Sequence, residues 1–393
     1  MQTDLDYREQ LARELLSSGW EPNDGKMFVD PAAQLVSAGL AADLNIPFPP
    51  ALKPQPQAIT PPPSPNDPLP KADVVIVTWT VDEVRALCDV LTPKITRDSW
   101  YRYARNFNQY SPKIREGAPA LNAGRLGSYY VTQVGTKKVL CIKSELHLNQ
   151  DGITDFVAPG EASLPVRDFF HQILDEAQPQ LIITAGTAGG VFSEHDLGDV
   201  VVTRAAQFRV QKEFKNASFK DNKYTSNWTV PTTHLANAVE LMRRFKNQLA
   251  EPEFLPPTVN YAPVDHLPKP VRENDPDIKL DGIDMPAFHP ILTTDYFEFG
   301  TSTNRLDQFG CAVEMGDAVL GLVMEDRAAA GKSTPNWLVV RNCSDPQING
   351  ALRNRPSAQS LQVMWAVYYY KGYGYWTSVM SSLTCWGVVA GLP

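Results

Sequence analysis

Three apolar runs rich in β-branched residues, each ending in small or polar side chains, and helical periodicity between them predict an α/β fold. The expectation is a central mixed sheet flanked by helices on both faces, from about residue 72 onward. The runs are Ala72-Asp-Val-Val-Ile-Val-Thr, Leu181-Ile-Ile-Thr and Trp337-Leu-Val-Val. They do not alternate apolar with polar residues, so each reads as a strand covered on both sides, as in a parallel sheet. Ligands bind open α/β sheets at the carboxyl ends of the strands. That rule brings Asp82-Glu83, the Gly-rich stretch Gly186-Thr-Ala-Gly-Gly and Ser344-Asp345 to one site. The Gly-rich stretch is expected to turn tightly after Thr184 and to offer the backbone of Thr187, Ala188 and Gly189 to a ligand. A plain connecting turn is the equal alternative.

The remaining elements follow in order. Residues 1–46 read as an N-terminal helical arm: Leu5, Leu11, Leu15 and Leu16 give helical spacing over 3–18, and 31–43 suggests a second short helix. Residues 47–71 form a proline-rich linker centred on Pro61-Pro-Pro-Ser-Pro, an extended tether rather than a ligand for a proline-recognition module. The main domain spans 72–393, with insertions near 96–122 and 251–290. Val81 to Leu91 is helical. The aromatic insertion around Trp100, Tyr101 and Tyr103 could wall a pocket. Tyr129–Thr132 and Lys138–Ile142 pair about Gly135-Thr136. His147 follows as a candidate contact, against the more ordinary structural histidine. Pro165–Ala177 is an amphipathic helix leading into the Gly-rich strand. A strand over Asp199–Thr203, a helix over His234–Leu249 and a helix starting near Met315 come next. The apolar, aromatic stretch Ser360–Leu392 reads as a helix covering the sheet, and its Tyr369-Tyr-Lys-Gly-Tyr-Gly-Tyr run is a candidate subunit interface.

Composition excludes several classes. A formal net charge of −8 with 20% charged residues opposes binding to a polyanion, and no basic patch exceeds Met242-Arg-Arg-Phe-Lys, so no nucleic-acid partner is expected. The first residues carry neither a basic region nor an apolar run, so no secretory signal is expected, and no stretch is apolar enough to span a bilayer. The five cysteines lack metal-ligand spacing, which leaves no metal or other cofactor to expect and favours buried thiols in a reducing compartment, the cytoplasm. Ser193-Glu-His195 lacks the strand-turn-helix elbow of a nucleophilic serine.

Four motifs then occur in a set order: Thr184-Ala-Gly-Thr-Ala-Gly-Gly, Leu197-Gly-Asp-Val-Val-Val, Ala312-Val-Glu-Met and Val339-Val-Arg-Asn-Cys-Ser-Asp. Together they resemble the nucleoside phosphorylase and nucleosidase superfamily, and within it the methylthioadenosine/S-adenosylhomocysteine nucleosidases, from about residue 72 to about 386. The resemblance implies a nucleoside phosphorylase-like three-layer sandwich, a small-molecule purine nucleoside or nucleotide as substrate, and a homodimer or higher homo-oligomer. It implies that Glu83, in the register Asp-Glu-Val, activates a water, although a carboxylate in a first helical turn also complements the helix dipole. It assigns Phe297 to stack on the base and Glu298 to bond the base's edge through its backbone, and it makes Phe208 a secondary wall and Met315 a substrate contact. One departure stands out. The family's ribose-holding Glu is replaced by Gly316, and the carboxylate of Asp317 comes one position later, about 100° round a helix. Either Asp317 bonds the sugar or the sugar is held otherwise.

The implied chemistry is cleavage of an N-glycosidic bond. A partly desolvated Asp at a buried strand end can carry a proton at neutral pH and deliver it to a departing base. Asp345 fits, with Ser344 placed to orient the base. The acidic Trp79-Thr-Val-Asp-Glu segment would repel phosphate, which favours hydrolysis. A phosphorylase using Arg341 or Arg204 is the alternative, and a nucleoside-binding module with an altered site is the other.

Overall fold

The computed structural model describes residues 4–18, 44–250, 274–352, 354 and 360–393. The helix expected over 31–43 and most of the 251–290 insertion lie outside the described residues. Strands β1 (Gln55–Gln57), β2 (Val74–Thr78), β3 (Tyr101–Tyr103), β4 (Gly127–Val134) and β5 (Lys137–Ser144) come before the Gly-rich strand β6 (Leu181–Gly190). Strands β7 (Val200–Thr203), β8 (Ala205–Phe208), β9 (Lys223–Thr225), β10 (Ile278–Leu280), β11 (Ile291–Thr293), β12 (Ala312–Glu314) and β13 (Asn336–Asp345) follow it. All belong to one sheet of order β1-β4-β5-β2-β6-β12-β11-β8-β9, with β13 paired to β6 and β7 and β10 paired to β7. Strands β5, β2, β6 and β13 are mutually parallel, while β4 and β12 pair antiparallel with β5 and β6, so the sheet is mixed as expected.

Among the described residues the helices longer than five residues are α1 (Asp4–Ser18), α2 (Val81–Leu91), α3 (Pro165–Ala177), α4 (Leu235–Arg243), α5 (Ala318–Ala329) and α6 (Leu361–Ala390). Successive strand side chains point to opposite faces, and the two faces carry separate cores. Val74, Ile76, Leu181, Ile183, Leu338 and Val340 pack with α2, α4 and α6. Val75, Val77, Ile182, Trp337 and Val339 pack with α3 and α5. Both faces being dry explains why these runs show no polar alternation, and each fully buried Val or Ile contributes about 1.5–3 kcal/mol. Helix α6 lies across α2, α4, β6 and β13, so apolar residues surround it instead of forming a stripe. Tyr369, Tyr373 and Tyr375 are therefore interior to this chain, which corrects the subunit-interface expectation for that run.

Three further expectations change. Strand β6 does not turn after Thr184 but stays extended through Gly190, and none of its glycines adopts a positive φ. Crowding is the reason for them: a Cβ on Gly186 would lie 2.3 Å from Glu83 Oε1, and one on Gly189 would lie 2.9 Å from Asp345 Oδ2. The proline-rich segment, expected as an extended linker or an arm on a neighbouring surface, is docked on the sheet of its own chain. Its β1, with Pro56 at the centre, pairs antiparallel with β4 at the sheet edge, where a missing N–H is tolerated. The 96–122 insertion adds β3 to β4 and buries Trp100, Tyr103 and Tyr110 in the cores. It does not wall the cleft described below.

Helix α1 is set apart in sequence but not in space. Its Arg8 donates to Glu298 at 2.7 Å and lies 4.8 Å over the Phe299 ring, and the Arg8 carbonyl accepts from the Phe297 N–H at 3.0 Å. Ion pairs of Arg13 with Glu213 and of Asp6 with Lys212 fasten the rest of it.

Candidate active site

Strands β2, β6 and β13 are in parallel register, so their carboxyl ends come out side by side. A cleft enclosing about 530 Å³ of empty space, part of it open to solvent, lies there. Glu83, Thr187, Ala188, Gly189, Phe297, Glu298, Met315, Ser344 and Asp345, all expected from the sequence, line it.

Asp345 reaches the cleft through a β-bulge. Cys343 pairs with Ala188 and Asp345 with Gly189, leaving Ser344 as the extra residue that re-aims the strand end. Ser344 Oγ donates to Asp345 Oδ1 at 3.0 Å and lies 3.3 Å from the Ala188 carbonyl. Burial pushes the Asp345 carboxyl up to about 7, with the Ser344 hydrogen bond pulling only weakly the other way. The group is thus poised to hold or release a proton near neutrality.

Glu83 is the opposite kind of carboxylate. Burial works to raise its pKa, but the Arg341 charge and backbone N–H groups outweigh it, and the net direction is down. Oε2 accepts from Thr78 Oγ1 at 2.9 Å, Trp79 N at 3.0 Å and Thr80 N at 2.9 Å. Oε1 accepts from Thr187 N at 2.9 Å and Thr187 Oγ1 at 3.0 Å. Both meanings of this residue are therefore visible: it completes a capping box with Thr80 at the start of α2, and it faces the cleft.

Arg341, 3% exposed, is gripped by carboxylates. Its Nε and Nη2 donate to the two oxygens of Asp317 at 2.8 and 2.6 Å, Nη2 lies 3.4 Å from Glu314 Oε2, and Nη1 donates to the Thr187 carbonyl at 3.1 Å. Burial opposes its charge, but Asp317, Glu314 and Glu83 together raise its pKa further. Glu314 is pushed up to about 8, first by burial and then by the charge of Asp317. It accepts hydrogen bonds from the Thr293 hydroxyl and, at 3.0 Å, from the Asp317 N–H.

Two expected residues are not in the cleft. Asp317 is fully buried and spends its carboxylate on Arg341, so it does not reach a sugar. Phe208 packs 4.7 Å from Phe219 in the core. Arg204 is also elsewhere, donating to Asp281 at 3.1 Å, and the Glu298 side chain is engaged by Arg8. The sequence reading missed Glu314, Trp79 and Tyr370 as cleft residues. Glu314 lay inside a quoted motif but was passed over for its neighbours, and Tyr370 arrives from α6, whose aromatic run gives no sign of which ring faces the site. His147, named as a candidate contact, does line the cleft.

One buried carboxyl near neutrality and one held ionised thus face a single cleft at the carboxyl ends of parallel strands, the place where α/β sheets bind ligands. The family model of the phosphorylase superfamily matches residues 73–324, and the chain belongs to that superfamily. No protein of curated function matches the chain. Similar solved structures include the 5′-methylthioadenosine/S-adenosylhomocysteine nucleosidase from Neisseria meningitidis in complex with methylthio-immucillin-A, at 12% identity and TM-score 0.43, covering 81% of this chain and 100% of that one. Futalosine hydrolase of Helicobacter pylori strain 26695 is similar at 11% identity and TM-score 0.42, covering 81% of this chain and 97% of that one. The S-adenosylhomocysteine nucleosidase from Streptococcus pyogenes in complex with 5-methylthiotubericidin is similar at 13% identity and TM-score 0.41, covering 83% and 99%. Among the described residues no helix is long and apolar enough to cross a membrane.

Proposed function

We propose that the protein hydrolyses the N-glycosidic bond of a purine nucleoside or nucleotide and releases the free base, with Asp345 as general acid. The observation that carries this reading is the buried Asp345 carboxyl, near neutrality at about 7, facing a cleft whose other side holds the ionised Glu83. As the bond breaks, its electron pair leaves with the base, Asp345 protonates a ring nitrogen, and positive charge develops on the sugar. Glu83 stabilises that charge. Arg341 Nη1 stands 3.8 Å from Glu83 Oε1, an ion pair that helps to keep the carboxylate charged. With five donors on it Glu83 is a weak base, but water attacking a cation becomes strongly acidic, so a weak base suffices to take its proton. The Phe297 ring offers a face for the base and Ser344 a hydroxyl for its edge.

Charge favours water over phosphate as nucleophile. Among the described residues lining the cleft Arg341 is the one cation, and Asp317, Glu314 and Glu83 already surround it. Five buried free cysteines fit a reducing compartment such as the cytoplasm. The test is base release from a panel of purine nucleosides and nucleotides in phosphate-free buffer, followed by chromatography. Free base with an unphosphorylated sugar is expected. A strict requirement for phosphate, with sugar 1-phosphate appearing, would reverse the choice. No release from any substrate would leave a nucleoside-binding module, the reading that Gly316 favours.

A further inference from the structure

The space that a side chain at position 316 would fill is empty of one, and two polar groups border it. An ideal Cβ on Gly316 would lie 3.4 Å from His147 Nε2 and 3.7 Å from Glu314 Oε2, and both residues line the cleft. The two groups differ in hydrogen-bonding sense. His147 caps the short helix Leu148–Asp151, its Nδ1 accepting from the Asn149 N–H at 3.4 Å. Burial and then the charge of Arg341 lower the ring's pKa to about 3, so the imidazole is neutral, and with Nδ1 an acceptor its one hydrogen sits on Nε2. Trp79, edge-on at 5.9 Å, and the Asp151 bond to the His147 N–H fix the ring and its backbone. Glu314 is fixed on its Oε1 side by the Thr293 hydroxyl and the Asp317 N–H, so Oε2 is the oxygen facing the space.

A hydroxyl group suits this pair whichever form the Glu314 carboxyl takes, because it accepts from His147 Nε2–H and can either donate to Oε2 or accept from it. A phosphate oxygen offers only acceptors, and the carboxylates of Glu83 and Asp317 nearby would repel it. We infer that His147 and Glu314 form the sugar-hydroxyl subsite of this cleft, Gly316 making the room for it, and that they select ribosides over deoxyribosides. This rests on the nucleoside reading above and names the residues that hold the sugar, in place of Asp317.

The test compares adenosine, inosine and their 2′-deoxy and 3′-deoxy forms with the full chain and with His147→Asn and Glu314→Gln, measuring base release and, in parallel, binding by calorimetry. Asn places an acceptor near the position of Nδ1, so it keeps the cap while removing the Nε2 donor. Wild type should prefer ribosides, and in His147→Asn the preference for a riboside over one deoxy form should fall by roughly 10- to 100-fold, mostly through loss on the riboside. Glu314→Gln should cut the same preference. A riboside preference unchanged in both folded variants overturns the inference while leaving hydrolysis standing. If wild type cleaves nothing, the binding arm decides: a riboside preference that collapses in His147→Asn supports the subsite without the reaction, and equal binding of ribosides and deoxyribosides by wild type overturns it.

Discussion

Replacing Asp345 by Asn separates the cost of the proposed acid from its use. Moving a carboxyl from 3.8 to about 7 by burial corresponds to about 4 kcal/mol at 1.36 kcal/mol per pH unit. The sign follows from the direction. A group whose folded pKa is raised favours folding below its unfolded pKa, and that advantage is lost as pH rises through the folded pKa. Between pH 4 and 7 the native protein must therefore give up about 4 kcal/mol to ionise a buried carboxyl that the unfolded chain ionises freely. Asn never ionises. Asp345→Asn should accordingly gain stability over wild type across that window, by up to about 4 kcal/mol at pH 8, while the offset near pH 4 stays small. Urea denaturation at pH 4, 6 and 8 measures this. Activity should move the other way. Base release should fall by roughly a hundredfold or more, whereas a nitrophenyl riboside, whose leaving group needs no proton, should be much less affected. Wild-type turnover should also decline above about pH 7, and the variant's residual turnover should not. Parallel stability curves from pH 4 to 8 would refute the burial argument, and wild-type cleavage of purine nucleosides by the variant would refute the acid.

Glu83→Gln puts an amide donor against a set of donors, so it should cost about 1–3 kcal/mol and reduce base release by a hundredfold or more; a variant with wild-type melting and turnover would show that Glu83 is neither anchor nor catalyst. Gly186→Ala sets a methyl 2.3 Å from Glu83 Oε1 and 2.7 Å from Arg341 Nη1, and a loss of about 1–3 kcal/mol is expected, read by thermal melting. If it melts as wild type does, the close approach is not what requires glycine there. Arg8→Ala removes a half of the ion pair with Glu298 and the contact with Phe299, and should raise KM about fivefold, equivalent to about 1 kcal/mol; unchanged KM would detach α1 from the cleft.

The sheet was legible because burial on both faces leaves a plain mark, unbroken β-branched runs, and because strand ends collect ligand-facing groups by topology alone. The cleft positions of Asp345, Glu83 and the backbone beside them followed. What was not legible depended on contacts between distant residues. Gly186 and Gly189 look like turn residues because nothing local says that Glu83 and Asp345 will press against them. Asp317 looks like a sugar ligand until Arg341, 24 positions on, claims both its oxygens. Phe208 and Tyr370 are both aromatic, and only packing decides that the first is core and the second wall. The proline segment reads as a tether because its partner β4 lies some 75 residues downstream, Gln57 opposite Val131 and Gln55 opposite Gln133.

The docking of α1 also bears on when a working molecule exists. Its anchors lie 200 residues away at Glu213, 206 at Lys212 and 290 at Glu298, and a helix of 15 residues is marginal by itself in water. At ribosomal speeds the segment waits on the order of 15–60 s for its last anchor. Helix α1 is thus made long before it can be fastened, and a product released early carries neither the Phe297 and Glu298 wall of the cleft nor the last anchor of that helix.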